Sequence, residues 1–239
     1  MSFGLIQSGF NGSLRMPLGG NILRLMRIYL PDQNLLAQTS SVDYYQWNYK
    51  FPLRYVQRYR FKAILDLLGT GIYDRILEIG TGSGIFLPEL ARHCEQLYAC
   101  DIHDKMDAVR ELCRLTSIKA NLVRCSITQT GFDDDAFDVI IGVSMLEFID
   151  DLETAFAEIQ RILKKQGVFL IICPQQNPVT DAVLRLFSRR DPDEEFKQSR
   201  KKVYLMLEKH FKVNTKISFP KLFGKILPIY CSYKLSVAG

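Results

Sequence analysis

Arg75-Ile-Leu-Glu-Ile-Gly-Thr-Gly-Ser-Gly-Ile-Phe86 decides how this chain folds. A short apolar run ends in Glu78; Gly80, Gly82 and Gly84 then alternate with Thr81 and Ser83, and a helical pattern follows. Glycine has no Cβ and adopts positive φ freely, so such a turn lets the backbone lie against a bound ligand. The spacing predicts a strand, a cradle and a helix running from Phe86 to about Cys94.

Glycine spacing narrows the ligand. A dinucleotide site needs G-x-G-x-x-G, whose third glycine brings helix and strand together while the pyrophosphate sits on the helix N-terminus. Here Ile85 holds that third position and the glycine falls one residue earlier. Glu78 would also repel a pyrophosphate and attract a cation.

The motif E-x-G-x-G-x-G, carried by Glu78, Gly80, Gly82 and Gly84, resembles the first motif of the Rossmann-like, class I S-adenosylmethionine-dependent methyltransferases. The resemblance implies an α/β fold: a doubly wound, seven-stranded, mostly parallel sheet with an antiparallel last strand inserted between the fifth and sixth. It also implies S-adenosylmethionine as cofactor, with the glycine loop around Thr81 against its methionine part and Glu78 near its cationic end. It covers about Leu65 to Val237.

The order of later segments fits. A second apolar strand, Gln96 to Cys100, delivers Asp101 at its carboxyl end, where an acidic residue about 20 positions past the first loop accepts hydrogen bonds from ribose hydroxyls. Asp104 is the expected cap of the next helix, which carries Met106, Val109, Leu112 and Cys113. A third strand, Asn121 to Cys125, ends at Ser126-Ile127, where the family places an Asp against the adenine amino group. Ser126 departs from that pattern; its hydroxyl can still accept from the amino group, less strongly than a carboxylate, so adenine is expected to rest more on packing against Ile102, Met106 and Ile127, or on backbone groups. The Phe137-Asp138 pair opens a fourth strand ending in Val143, counted among the cofactor-binding residues, and Ser144 to Asp150 follows. Phe148 stands where the family commonly has His, which removes the obvious general base; its ring suits either the core or a pocket. Glu147 and His103 are the nearest alternatives, and no catalytic residue is assigned.

An amphipathic helix over Leu152 to Leu163, a break at Gly167 and the apolar run Val168 to Cys173 give the fifth strand, buried on both faces. Val213 to Phe219 and Ile229 to Val237 read as the sixth and seventh strands, separated by Pro220, Gly224 and Pro228. Residues 63–239 thus form the core, with a helical insertion at 174–211 that includes the charged linker Ser188 to Glu195. Residues 1–62 form a basic, aromatic cap. Within it, Tyr44 to Phe51 is expected to be a lid with Tyr44 or Tyr45 reaching the cofactor. Val56 to Leu68 is expected to be a packing helix on Tyr55, Tyr59, Ala63 and Asp66, with Arg58, Arg60 and Lys62 on a solvated face.

Composition bounds the rest. With 239 residues, 47% of them hydrophobic, one sizeable core is expected. Six scattered cysteines and three isolated histidines, His93, His103 and His210, show no zinc spacing, so no metal is expected and the thiols read as small apolar residues. No apolar run reaches the roughly 18 residues of a membrane span. The N-terminus makes a poor signal peptide, so the chain is expected in the cytoplasm. Residues 1–62 and 212–239 carry net charges of +6 and +5 around a −6 middle. Those basic ends, with Ile22 to Leu30, suggest weak peripheral contact with an anionic membrane surface or an acidic, partly apolar substrate; the alternative is that Ile22, Leu25 and Ile28 dock on the protein's own core. The fourth strand lacks the D/N-P-P-Y/F motif of base and amide methylation, having Val143-Ser-Met-Leu146 instead. That argues against nucleic acid and for a small-molecule or lipid-like methyl acceptor. The alternative is an inactive, methyltransferase-like interaction subunit.

Overall fold

A computed structural model describes residues 28–188, 200–220 and 228–237. The expectations for residues 22–27, for most of the charged linker and for Gly224 lie outside the described residues.

Seven strands form one sheet: β1 (Tyr73–Ile79), β2 (Cys94–Asp101), β3 (Ala120–Arg124), β4 (Phe137–Val143), β5 (Leu163–Pro174), β6 (Phe211–Phe219) and β7 (Tyr230–Val237). Their order is β3-β2-β1-β4-β5-β7-β6. The first five pair in parallel, whereas β7 lies antiparallel between β5 and β6, as expected from the sequence.

Side chains alternate across a strand, and here they feed two cores. Leu77, Ile79, Ile140, Phe169 and Ile171 face one layer, with Phe156, Ile159 and Leu207 from the helices α4 (Leu152–Ile162) and α6 (Arg200–His210). Ile76, Val139, Ile141, Leu170 and Ile172 face the other. There they meet Ile64, Leu68, Phe86, Val109 and Leu112 from the helices α1 (Leu53–Leu68) and α3 (Met106–Leu115) and from the glycine loop's exit. Fully burying one such side chain contributes about 1.5–3 kcal/mol, so the central strands read as continuous apolar runs.

Several local expectations are corrected. The helix after the glycine loop, α2 (Leu87–Leu90), is one turn long, because Tyr73 pairs with Cys94 and β2 already starts there. Asp104 does not cap α3: Lys105 holds that position without a side-chain cap, and the His103 ring nitrogen Nδ1 accepts the Lys105 N–H at 3.1 Å. Gly167 does not precede β5 but lies inside it, because the strand begins at Leu163 directly after α4. On α1, Tyr55 and Asp66 are exposed, and Leu53, Gln57, Phe61, Ile64 and Leu68 are buried. α1 also runs across residue 62. The remaining helix, α5 (Pro178–Ser188), opens the insertion that α6 closes. Ile28 is buried in the second core, as the docking alternative requires at that position.

Candidate active site

The strand order reverses between β1 and β4, and ligand sites of doubly wound sheets lie beyond the carboxyl ends of the strands at such a point. A cavity of ≈ 540 Å³ opens there. Its floor is the glycine loop. Gly80 has φ +68, and a Cβ there would lie 2.8 Å from the Cβ of Met145. Gly84 serves packing instead: a Cβ would lie 2.8 Å from Val109 on α3. The one-residue shift from the dinucleotide pattern therefore still brings helix and loop into contact.

Two carboxylates organise the loop. Asp101 accepts the Gly82 N–H at 2.8 Å and the Ile102 N–H at 2.7 Å, which fixes the β2 end against the loop and leaves lone pairs for a ligand hydroxyl. Glu78 is 4% exposed and accepts one hydrogen bond, from the Thr81 hydroxyl at 2.7 Å. Burial pushes its carboxyl from 4.5 up to about 8, against that hydrogen bond and with help from the nearby Asp101 charge. The Ser83 hydroxyl is buried without a partner among the described residues.

The segment Thr39 to Asn48 closes one side, with a 3-10 turn at Tyr45–Asn48. Tyr44 stacks on Trp47 with centroids 4.3 Å apart. Lys105 Nζ donates to the Gln38 carbonyl at 2.9 Å, and Arg58 donates to the Asn48 carbonyl at 3.0 Å, so both ends of the segment are tied to the core. Asp43 accepts both the backbone N–H and the hydroxyl of Thr39, yet burial still raises its carboxyl above the ordinary range.

At the inner end stand Arg60, Met145, Glu147, Phe148, Pro174 and Tyr230. Arg60 was expected on a solvated face; it turns inward instead and donates to the Ser144 hydroxyl at 3.3 Å. Ser144 has φ +53, a costly backbone conformation for a non-glycine residue, held by its N–H to the Ile172 carbonyl at 2.8 Å. Glu147 is 1% exposed, and neither carboxylate oxygen has a hydrogen-bond partner among the described residues. The Cys173 thiol lies beside it without a bond of full geometry, and burial lifts the carboxyl from 4.5 to about 7.

Glu78, Gly80, Thr81, Gly82, Asp101, Ile102, Ile127, Val143 and Tyr45 all border this cavity, as does Phe148. Gly84, Met106 and Ser126 do not. Met106 is buried, and the Ser126 hydroxyl is engaged with Thr128 at 2.7 Å. His103 reaches the cavity through its Nε2, 3.0 Å from the Gly82 carbonyl. The sequence singled out neither Asp43 nor Tyr230, held Asn48 only within the Tyr44 to Phe51 lid, and put Arg60 on a solvated face. Only Asp43, a lone acid before an aromatic run, carried a local signal.

Residues 77–171 match the methyltransferase domain family. Over those residues the chain carries a methyltransferase domain, set in a Rossmann-like fold. No curated protein matches the sequence as a relative. Solved structures share the fold of this chain at low identity. A SAM-dependent methyltransferase from Aquifex aeolicus is 19% identical, with 74% of this chain and 89% of that chain covered and a TM-score of 0.59. The N-methyltransferase NodS from Bradyrhizobium japonicum WM9, in complex with S-adenosyl-L-homocysteine, is 18% identical, with 87% and 98% covered and a TM-score of 0.62. A methyltransferase of this class uses S-adenosylmethionine as its methyl donor.

The cavity's chemistry fits that donor. Asp43, Glu78, Asp101, Asp104 and Glu147 line it against Arg60 and Arg124; a bound sulfonium and ammonium favour the ionised form of the buried carboxyls, whereas a pyrophosphate disfavours it. Among the described residues, no group of His, Cys, Asp and Glu side chains could hold a metal ion, and no helix is long and apolar enough to cross a membrane.

Proposed function

We propose that this methyltransferase acts on a small-molecule or lipid-like acceptor held at the inner end of the cavity. The observation that carries the reading is continuity: one cavity runs from the glycine loop and Asp101 to a mainly apolar and aromatic inner wall. Asp101 takes the ribose hydroxyls, Glu78 takes the donor's amino group, and the Gly80 to Gly82 backbone lies along its methionine part. Ile102 and Ile127 flank the adenine, Val143 supports the donor from the β4 end and Tyr45 covers it. Gly84, Met106 and Ser126 support the site from behind.

S-adenosylmethionine supplies an activated methyl group on a sulfonium. The chain's own residues position the acceptor and exclude water; holding two reactants in line can supply roughly 7–11 kcal/mol of a barrier. Aromatic and apolar walls at Phe61, Phe148 and Tyr230 suit an acceptor with an apolar body. The acidic lining opposes a phosphate backbone, as the missing base-methylation motif also does. A panel of labelled-methyl transfer assays tests the reading. Transfer to small or lipid-like molecules is expected; transfer confined to nucleic acid or protein would overturn it.

A further inference from the structure

Two residues that line the cavity carry three unsatisfied acceptor atoms. Glu147 is 1% exposed, and both of its oxygens lack a partner among the described residues. Asn48 is equally buried; its amide nitrogen donates to the Tyr45 carbonyl at 2.9 Å, while its Oδ1 has none. Both residues line the cavity. An unpaired buried acceptor is costly, more so when charged, and three such atoms on two residues that line one cavity would be satisfied by a ligand that brings N–H or O–H donors. Glu147 follows Met145, whose Cβ would contact a Cβ on Gly80, so the segment that carries it lies on the glycine loop.

The groups facing Glu147 decide which donor is favoured. Arg60 reaches it from α1, Cys173 from β5, Arg200 and Tyr204 from α6, and Tyr230 from β7. Arg200 is already paired with Asp181 at 2.5 Å, and Tyr204 donates its hydroxyl to the Cys173 carbonyl at 2.6 Å. The remaining cation, Arg60, stands against a cavity that holds Asp43, Glu78, Asp101 and Asp104 as well.

Resting on the methyltransferase reading above, the geometry assigns Glu147 as the carboxylate that receives an amine acceptor and takes its proton, with the Asn48 carbonyl as a second acceptor for the same nitrogen. An ammonium R–NH3+ gives one proton to the Glu147 carboxylate and becomes R–NH2. Its lone pair forms the N–CH3 bond while the S–CH3 bond breaks, the electron pair staying on sulfur. The product leaves as R–NH2CH3+ with S-adenosylhomocysteine, and Glu147 returns its proton to solvent. The carboxyl's position near pH 7 suits that exchange.

Trp47, the chain's single tryptophan, lines the cavity and reports binding by fluorescence. Protein saturated with S-adenosylhomocysteine is titrated with phenethylamine, 2-phenylethanol and 3-phenylpropionate, which share one aromatic body and differ in the polar end. The amine should bind about tenfold more tightly than either analogue. Glu147→Gln should erase that preference, with S-adenosylhomocysteine affinity kept within about twofold. Lowering pH through about 7 should erase it in the unmodified protein. Equal or reversed preference, no amine binding, or a preference that survives Glu147→Gln overturns the assignment. Failure of S-adenosylhomocysteine itself to bind would instead overturn the reading of the cavity.

Discussion

Replacing Glu147 by Gln should make the protein more stable at alkaline pH. The side chain is 1% exposed and unpartnered, and burial raises its carboxyl from 4.5 to about 7. In the unfolded chain it titrates near 4.5, so between those values the folded state keeps a proton that the unfolded state has lost. Stability from this group is therefore fully present below pH 4.5 and is lost as pH rises through 7. At about 1.4 kcal/mol per pH unit, the loss levels off at about 3 kcal/mol. Glutamine has no such proton. Urea denaturation of both proteins, followed by circular dichroism from about pH 5 to pH 8, should show their stability difference moving by about 2–3 kcal/mol in favour of Glu147→Gln. Glu78, raised to about 8, imposes a slope of the same sign on both proteins, and it cancels in the difference. A difference independent of pH would refute the reasoning and return Glu147 to an ordinary carboxyl.

Two further substitutions probe the donor end. Asp101→Ala removes acceptors at 2.8 and 2.7 Å from the Gly82 and Ile102 N–H groups as well as the proposed ribose contact. Calorimetry should show S-adenosylhomocysteine binding weakened tenfold or more, at roughly 1.5–3 kcal/mol per charged hydrogen bond, and unchanged affinity would sink the ribose role. Gly80→Ala places a Cβ at φ +68 and 2.8 Å from Met145. The strain should lower stability by about 1–3 kcal/mol, and an unchanged melting temperature would contradict it.

The site's frame was readable because its signals are local. Glu78 to Gly84 occupies one strand and one turn, and Asp101 closes the next strand, so spacing alone brings them together. The inner wall was not, because burial there depends on distant partners. Glu147 is enclosed by residues from α1, β5, α6 and β7, and Tyr230 enters from a strand far along the chain. Arg60 was misread because aromatic and basic residues alternate around α1, and only packing shows which face turns inward. Asp104 looked like a helix cap, but Lys105 holds the cap position, and the His103 ring accepts its N–H. Met106 was offered as an apolar support for adenine, yet the amphipathic helix that carries it buries it away from the cavity lining.

Thermal unfolding with added S-adenosylhomocysteine, with NAD in parallel, distinguishes the two kinds of ligand that a glycine loop can hold. A ligand that binds only the folded state adds about 2.7 kcal/mol at 100 times its dissociation constant. The acidic cavity on the glycine loop should give a clear upward shift with S-adenosylhomocysteine and none with NAD. A shift with NAD and none with S-adenosylhomocysteine or S-adenosylmethionine would contradict the account.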